Sequence, residues 1–220
     1  MTTMDGREIE VKLHLDDLGA TRRALRRIGA KAEPRLFERN ILYDTPTSEL
    51  RETGRLLRIR IELPVASGLT PPRIPSGKPA RSRKALRGIL TFKAPVTAAF
   101  ATTSGGRSKE REELEVEFRP AETLEGIFAG LGFHPGFRYE KFRTTYRVTK
   151  LPGLHLDLDE TPLGNYLELE GAPAAIDRAA YLLGFAAQDY ITATYWELHV
   201  AECRGRRETP GDLLFHLSSH

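Results

Sequence analysis

The chain has 220 residues, of which 40% are hydrophobic and 29% charged, with one cysteine and a net charge of +3. This composition predicts a soluble globular protein, and a single cysteine excludes an intramolecular disulfide framework. Neither end of the sequence has a long apolar run. We therefore expect a reduced, cytoplasmic protein with no membrane partner. Residues 64–90 hold six basic residues and no acid, so the rest of the chain is net acidic. The six are Arg73, Lys78, Arg81, Arg83, Lys84 and Arg87.

Alternating polar and apolar residues predict β-strands along most of the chain. The first strand ends near Leu15 and places Glu8, Glu10 and Lys12 on one face. A helix follows from residues 16–21 to Gly29. The other predicted strands are 35–43, 56–63, 89–93, 109–118, 138–150, 154–159 and 166–170. Further helical segments are predicted at 48–51, 123–131, 174–183 and 192–202. About eight strands and three or four helices predict an antiparallel α+β domain.

The remaining segments suggest how the domain is bounded. Residues 64–88 lack periodicity and are rich in proline, glycine and serine, which predicts a flexible basic loop between two strands. We expect a single domain over residues 5–203. The polar C-terminal tail, 204–220, is expected to fray.

The polar positions of these strands are almost entirely charged. On a single strand, such a face is typical of the exposed side of an antiparallel sheet. Exposed strands also use Thr, Ser and Gln freely, however, so the joint pattern favours a second interpretation. A closed sheet with both signs of charge inside would form a cavity for a polyanion and its cations, because buried charges need partners.

The residue types indicate the chemistry of such a cavity. The pairs Glu8/Glu10 and Glu168/Glu170 offer hard oxygen ligands that suit Mg²⁺ or Mn²⁺. Lysine and arginine side chains suit phosphate oxygens. Together they predict metal-assisted phosphoryl chemistry, although no single pair is specific.

Charged motifs follow one another along the chain in a fixed order. They are Glu8-x-Glu10-x-Lys12, Tyr43-Asp44-Thr45-Pro46, Leu57-Arg58-Ile59-Arg60, Thr91-Phe92-Lys93, Arg111-x-Glu113-x-Glu115, Lys141-x-Arg143-x-x-Tyr146, Leu156-Asp157-Leu158-Asp159 and Gly164-Asn165-Tyr166-Leu167-Glu168-Leu169-Glu170-Gly171. This order resembles the CYTH family, the triphosphate tunnel metalloenzymes, which include class IV adenylate cyclases, thiamine triphosphatases and tripolyphosphatases. The resemblance covers roughly residues 7–200, and it implies a closed eight-stranded antiparallel β-barrel with helices packed outside.

Carried over residue by residue, the resemblance implies three groups of site residues. The metal ligands would be Glu8, Glu10, Asp157, Glu168 and Glu170. The triphosphate would be bound by Lys12, Arg58, Arg60, Lys93, Arg111, Lys141 and Arg143. Glu113 and Glu115 are the catalytic candidates, which would orient a water or a basic neighbour. The alternation of side chains does not show which acid of strand 109–118 points inward. Its four alternating charged residues all lie on one face: Arg111, Glu113, Glu115 and Glu117.

We expect a Mg²⁺- or Mn²⁺-dependent enzyme that hydrolyses a small-molecule triphosphate, either inorganic tripolyphosphate or a nucleoside triphosphate. One alternative is a class IV adenylate cyclase that makes cyclic AMP and pyrophosphate. Another is a non-catalytic module for polyphosphate or nucleic acid, suggested by the basic loop, although nucleic acid is not the expected partner. The absence of lysine after Lys150 disfavours thiamine triphosphate. A homodimer is compatible with the sequence, which gives no oligomeric state.

Overall fold

The computed structural model describes residues 7–66, 71–72, 87–96, 109–118 and 121–216. Most of the predicted basic loop, residues 67–70 and 73–86, lies outside the described residues, as does 97–108. No helix in the described ranges is long and apolar enough to cross a membrane.

Nine strands and five α-helices make up the described part of the chain. In chain order they are β1 (Arg7–Leu15), α1 (Leu18–Arg27), β2 (Ala30–Ala32), β3 (Leu36–Asp44), α2 (Glu49–Glu52), β4 (Leu56–Pro64), β5 (Arg87–Pro95), β6 (Lys109–Phe118), α3 (Ala121–Gly130), β7 (His134–Val148), β8 (His155–Thr161), β9 (Gly164–Glu170), α4 (Pro173–Leu183) and α5 (Tyr195–Arg206). A short 3₁₀ helix, Ala187–Asp189, precedes α5.

Eight of the strands close into an antiparallel barrel in the order β7-β3-β4-β5-β6-β1-β9-β8, and β8 pairs back onto β7. The long β7 makes closure possible, because its first part pairs with β3 and its second part with β8. The predicted α+β fold with a closed eight-stranded barrel is confirmed. The ninth strand, β2, lies outside the barrel on β7. Its three residues are too few to show an alternation in the sequence.

The apolar core of the protein lies outside the barrel. Outward-facing residues of β1, β8 and β9, such as Leu13, Leu158 and Leu167, are fully buried against α1 and α4. On the other side, Ile59 of β4 packs near Phe128 of α3. Because successive strand residues point to opposite faces, an outer apolar core leaves the inner positions to the charged residues.

The helices end where glycine permits a left-handed turn. Gly29, Gly132 and Gly184, which follow α1, α3 and α4, have φ angles of 78°, 84° and 91°. Such angles are costly for residues with a Cβ atom, so glycine is the usual residue at these positions. The helix ends predicted at these glycines are confirmed.

Two expectations about loop and tail are corrected. Arg87, counted with the basic loop, begins β5 and pairs with Glu62 and Glu117. As far as residue 216, the chain beyond the predicted end of the last helix does not fray: α5 continues to Arg206. Leu213 is then buried and exchanges backbone hydrogen bonds with β7. An apolar side chain that can cover the barrel wall stabilises this tail.

Replacing Leu158 with alanine tests the outer core. The side chain is fully buried, so Leu158→Ala should lower the free energy of unfolding by about 2–5 kcal/mol, measured by urea titration. Leu114→Ala is the matched control, because Leu114 is 68% exposed and its loss should change stability by no more than about 0.5 kcal/mol. Equal effects of the two changes would contradict this arrangement of the core.

Candidate active site

All fourteen residues predicted for the site line one cavity inside the barrel. Its volume is about 590 Å³. Seven of the fourteen are cations and seven are carboxylates, and they come from seven strands of the barrel. The period-two alternation on each strand places them there, because closure of the sheet turns one face of every strand inward.

Lys12 lies between the two predicted metal-binding pairs. Its Nζ atom is 3.1 Å from Glu10 Oε1 and 3.3 Å from Glu168 Oε1. Burial opposes ionisation of Glu10, but Lys12 and Lys93 outweigh it and lower the pKa of Glu10 to about 2. Nearby cations also hold the pKa of Glu168 well below its usual value, against the effect of burial. Both carboxylates are therefore ionised at neutral pH.

Glu8 and Glu170 lie where the carboxylates of the site outnumber the cations. Lys93 Nζ contacts the Glu8 carboxylate and is 3.2 Å from Glu113. Burial and the neighbouring Glu10 raise the pKa of Glu8 to about 6. Burial and Glu8 raise the pKa of Glu170 to about 8. An additional cation at this end of the cavity would relieve that repulsion.

This donor set fits Mg²⁺ or Mn²⁺ in type and in charge, because the carboxylate oxygens are hard ligands and are present in excess of the cations around Glu8 and Glu170. Across the described ranges, no three acidic, histidine or cysteine side chains already converge as a cation cage. Asp157 is engaged, since it accepts a hydrogen bond from Thr145 (2.6 Å) and lies 2.8 Å from Arg143.

Arg58 and Arg60 lie on the inner face of β4. Arg58 donates a hydrogen bond of 3.0 Å to the Thr91 hydroxyl. Arg60 lies 3.3 Å from Glu62 and 3.8 Å from Glu115. These contacts orient both guanidinium groups toward the cavity before any ligand is bound.

Lys141 and Arg143 of β7 share the carboxylate of Asp159 on β8. Lys141 donates to it at 2.7 Å, and Arg143 donates to both of its oxygens at 2.7 and 2.6 Å. Arg143 also contacts Glu168. The carboxylates around Arg143 raise its pKa well above the usual value despite burial, so its charge is permanent.

The structure shows which acidic residues of β6 line the cavity, a question that the alternation of side chains left open. Glu113 contacts Lys93, and Glu115 accepts a 2.7 Å hydrogen bond from Thr91. Glu117 is mostly exposed and contacts Arg87. Glu113 and Glu115 line the cavity, and Glu117 does not.

Glu38 was not among the residues predicted for the site. This residue is fully buried, and its carboxylate lies 3.6 Å from Lys141, 3.7 Å from Arg60 and 3.8 Å from Arg143. Burial alone would raise its pKa, but these three cations outweigh burial and lower it. Glu38 is thus their shared counter-ion. The alternation of Glu38 with Asn40, also fully buried, was the available signal on a strand that was correctly predicted.

A second part of the cavity is more apolar. Trp196 lies in edge contact with Phe137, their ring centroids 4.9 Å apart. The guanidinium of Arg51 stacks on Trp196 with 5.5 Å to the ring centroid. Leu42 packs in the same cluster, and Pro46, Leu57 and Pro135 also line the cavity. Such a surface can accept a flat, weakly polar group next to the charged region.

Comparison with known sequences identifies the family. The sequence model of the CYTH domain matches residues 6–182. The chain belongs to the CYTH family. A relative from Methanocaldococcus jannaschii, named as a candidate adenylate cyclase, is 28% identical over 163 residues, which cover 74% of this chain and 75% of that protein.

Solved structures resemble this CYTH protein in fold. A protein of Pyrococcus horikoshii matches with a TM-score of 0.65 and 24% identity over 89% of this chain and 99% of that one. A candidate adenylyl cyclase from Hippeastrum, described as having a dominant triphosphatase activity, matches with a TM-score of 0.55 and 20% identity over 97% and 100%. At these identities the likeness concerns the fold alone.

Neutralising the buried counter-ion of the CYTH barrel should destabilise it. Glu38→Gln preserves the side-chain shape but leaves three buried cations short of one negative charge, so the free energy of unfolding should fall by about 3 kcal/mol, measured by urea titration. Added sulfate should restore more stability to this variant than to the wild type. The matched control is Glu33→Gln, which removes an exposed partner of Arg147 and should cost at most about 1 kcal/mol. Equal losses in both variants would refute the role of Glu38.

The raised pKa of Glu170 predicts a pH dependence for the metal-free CYTH protein. Its pKa is about 8 in the folded state against an ordinary value of 4.5, so the folded state binds the proton more tightly and stability falls as the pH rises between these values. Glu170→Gln mimics the protonated form and should flatten this slope in urea titrations at pH 5 to 8. Glu33→Gln, which changes an exposed carboxylate away from the cavity, should keep the slope. An unchanged slope in Glu170→Gln would contradict the prediction.

Proposed function

We propose that this CYTH protein hydrolyses a small-molecule triphosphate, inorganic tripolyphosphate or a nucleoside triphosphate, with Mg²⁺ or Mn²⁺ as cofactor. The observation that carries the proposal is the cavity inside the barrel, on whose wall the seven cations and seven carboxylates of the predicted site come together. Burial of so many charges is favourable only when they are paired, and a polyanion with a divalent cation complements both kinds.

The divalent cation would neutralise phosphate charge and polarise a phosphorus–oxygen bond. We assign its ligands to Glu8, Glu10, Glu168 and Glu170. The raised pKa values of Glu8 and Glu170 support them as principal contributors, since these carboxylates have least compensation from lysine or arginine. Asp157, which Arg143 already engages, would contribute after a change of partner.

The triphosphate oxygens would be bound by the cations on the cavity wall. Arginine suits this role because its planar guanidinium donates two parallel hydrogen bonds to a phosphate. Most of these cations are held in place by carboxylates before the ligand arrives, so little reorganisation is needed on binding. The set is Lys12, Arg58, Arg60, Lys93, Arg111, Lys141 and Arg143.

Glu113 and Glu115 are the candidates for orienting the attacking water. Burial would raise the pKa of Glu115, but Arg60, Arg58 and the hydrogen bond from Thr91 lower it. A carboxylate with a lowered pKa is a weak base, so we assign Glu115 the orientation of water and not its full deprotonation. The description of the Hippeastrum protein as mainly a triphosphatase also supports hydrolysis.

Adenylate cyclase activity is the second candidate. The Methanocaldococcus relative carries that name, and the apolar part of the cavity around Trp196 offers a surface for a nucleobase. In this reaction a ribose hydroxyl replaces water as the attacking group. The third candidate, a non-catalytic polyanion-binding module, depended on basic residues that fall mostly outside the described residues.

Product analysis tests the proposal. The purified protein is incubated with tripolyphosphate or ATP and with Mg²⁺ or Mn²⁺, and we expect orthophosphate without cyclic nucleotide. Formation of cyclic AMP and pyrophosphate would overturn the proposed hydrolysis and support the cyclase. Binding of the triphosphate without turnover would support the non-catalytic module.

The metal assignment predicts a specific kinetic defect. Glu168→Gln and Glu170→Gln should each raise the metal concentration that gives half-maximal activity by at least about tenfold, because each removes one oxygen ligand. Glu33→Gln, on the exposed surface, should leave that concentration unchanged. Unaltered metal dependence in a folded Glu170→Gln protein would remove Glu170 from the site.

A further inference from the structure

Tyr195 lines the charged cavity although it belongs to a helix outside the barrel. Two features place it there. Ile191 exchanges two backbone hydrogen bonds with Lys12, of 2.9 and 2.8 Å, just beyond the part of β1 that pairs with β6. The start of α5 is then secured by Thr194, which forms a reciprocal capping box with Glu197. The first turn of α5 therefore delivers one buried tyrosine side chain to the inner wall.

The hydroxyl of Tyr195 is part of the anchor for two cavity cations. It donates a 2.8 Å hydrogen bond to Asp159 Oδ2. The same oxygen accepts hydrogen bonds from Lys141 (2.7 Å) and Arg143 (2.6 Å). Tyr195 thus fixes the orientation of the carboxylate that both cations share. Burial and Asp159 raise the pKa of Tyr195 well above its usual value, so the hydroxyl keeps its proton to donate.

The aromatic ring of Tyr195 also lies close to two cations, independently of the hydroxyl group. The ammonium groups of Lys12 and Lys141 lie 5.6 and 5.3 Å from the ring centroid, within the range of cation–π attraction. Tyr139 and Tyr166 pack against the same ring at 5.8 and 5.6 Å and restrict its rotation. A single rigid side chain therefore touches two lysines from different strands.

We propose that Tyr195 is a positioning residue for triphosphate binding. Its ring sets the places of the Lys12 and Lys141 ammonium groups, and its hydroxyl, through Asp159, sets those of Lys141 and Arg143. This inference rests on the proposed function, because it assigns these cations to the phosphate oxygens. The two parts of the side chain act separately, so two substitutions can tell them apart.

Tyr195→Phe removes the hydroxyl and keeps the ring, whereas Tyr195→Leu removes both. We expect the dissociation constant for tripolyphosphate, measured by calorimetry, to rise about tenfold in Tyr195→Phe and about a further threefold in Tyr195→Leu. In turnover assays KM should rise while kcat stays within about threefold. Tyr190→Phe is the matched control, because it removes a hydroxyl that donates to Asp177 on the exposed surface, and it should bind like the wild type.

A spectroscopic measurement reports the positioning without any ligand. In NMR spectra, protons above an aromatic ring have chemical shifts that are moved upfield. The ε-methylene signals of Lys12 and Lys141 should therefore be moved upfield in the wild type and in Tyr195→Phe. The shift should disappear in Tyr195→Leu. If Tyr195→Leu does not fold, the proposal is tested by the lysine chemical shifts of the wild type and by the dissociation constant of Tyr195→Phe for tripolyphosphate.

The outcomes separate this inference from the proposed function. A wild type that neither binds nor hydrolyses triphosphate refutes both. A wild type that binds triphosphate, with Tyr195→Phe and Tyr195→Leu equal to Tyr190→Phe, overturns the positioning role alone. Unshifted lysine signals in the wild type overturn it as well. A fall in kcat with unchanged KM would also overturn it, since Tyr195 would then act in the chemical step.

Discussion

Charges inside a closed barrel must be compensated, and the rest of this structure depends on that requirement. Glu38 is fully buried and lies within 3.8 Å of Arg60, Lys141 and Arg143, while Asp159 accepts hydrogen bonds from two of the same cations. Removing such groups from water is costly unless each has partners. The interior is therefore a network in which one carboxylate serves several cations, and a polyanion that enters can take over some of those partners.

The charged interior requires the apolar core to lie elsewhere. The outward residues of β1, β8 and β9 pack under α1 and α4, and those of β3 and β4 pack under α3. The core of this protein is thus a layer between barrel and helices. The hydrophobic contacts between the strands and the helices therefore lie on the opposite face of the sheet from the cavity.

The two carboxylate pairs of the family motif divide into different environments. Glu10 and Glu168 share Lys12, and their pKa values are lowered. Glu8 and Glu170 lie where carboxylates outnumber cations, and their pKa values are raised. One member of each pair thus contacts Lys12, while the other lies where the proposed divalent cation would relieve the repulsion between carboxylates.

The sequence by itself determined which residues share a face of each strand, because side-chain parity is a local property of an extended chain. It also determined the ends of three helices, through glycines that take positive φ angles. Only the tertiary structure decided that the charged face points inward, since that depends on the closure of β7 onto β8. It alone brought Tyr195 into the cavity and bound Leu213 to the barrel, because both contacts join segments far apart in the chain.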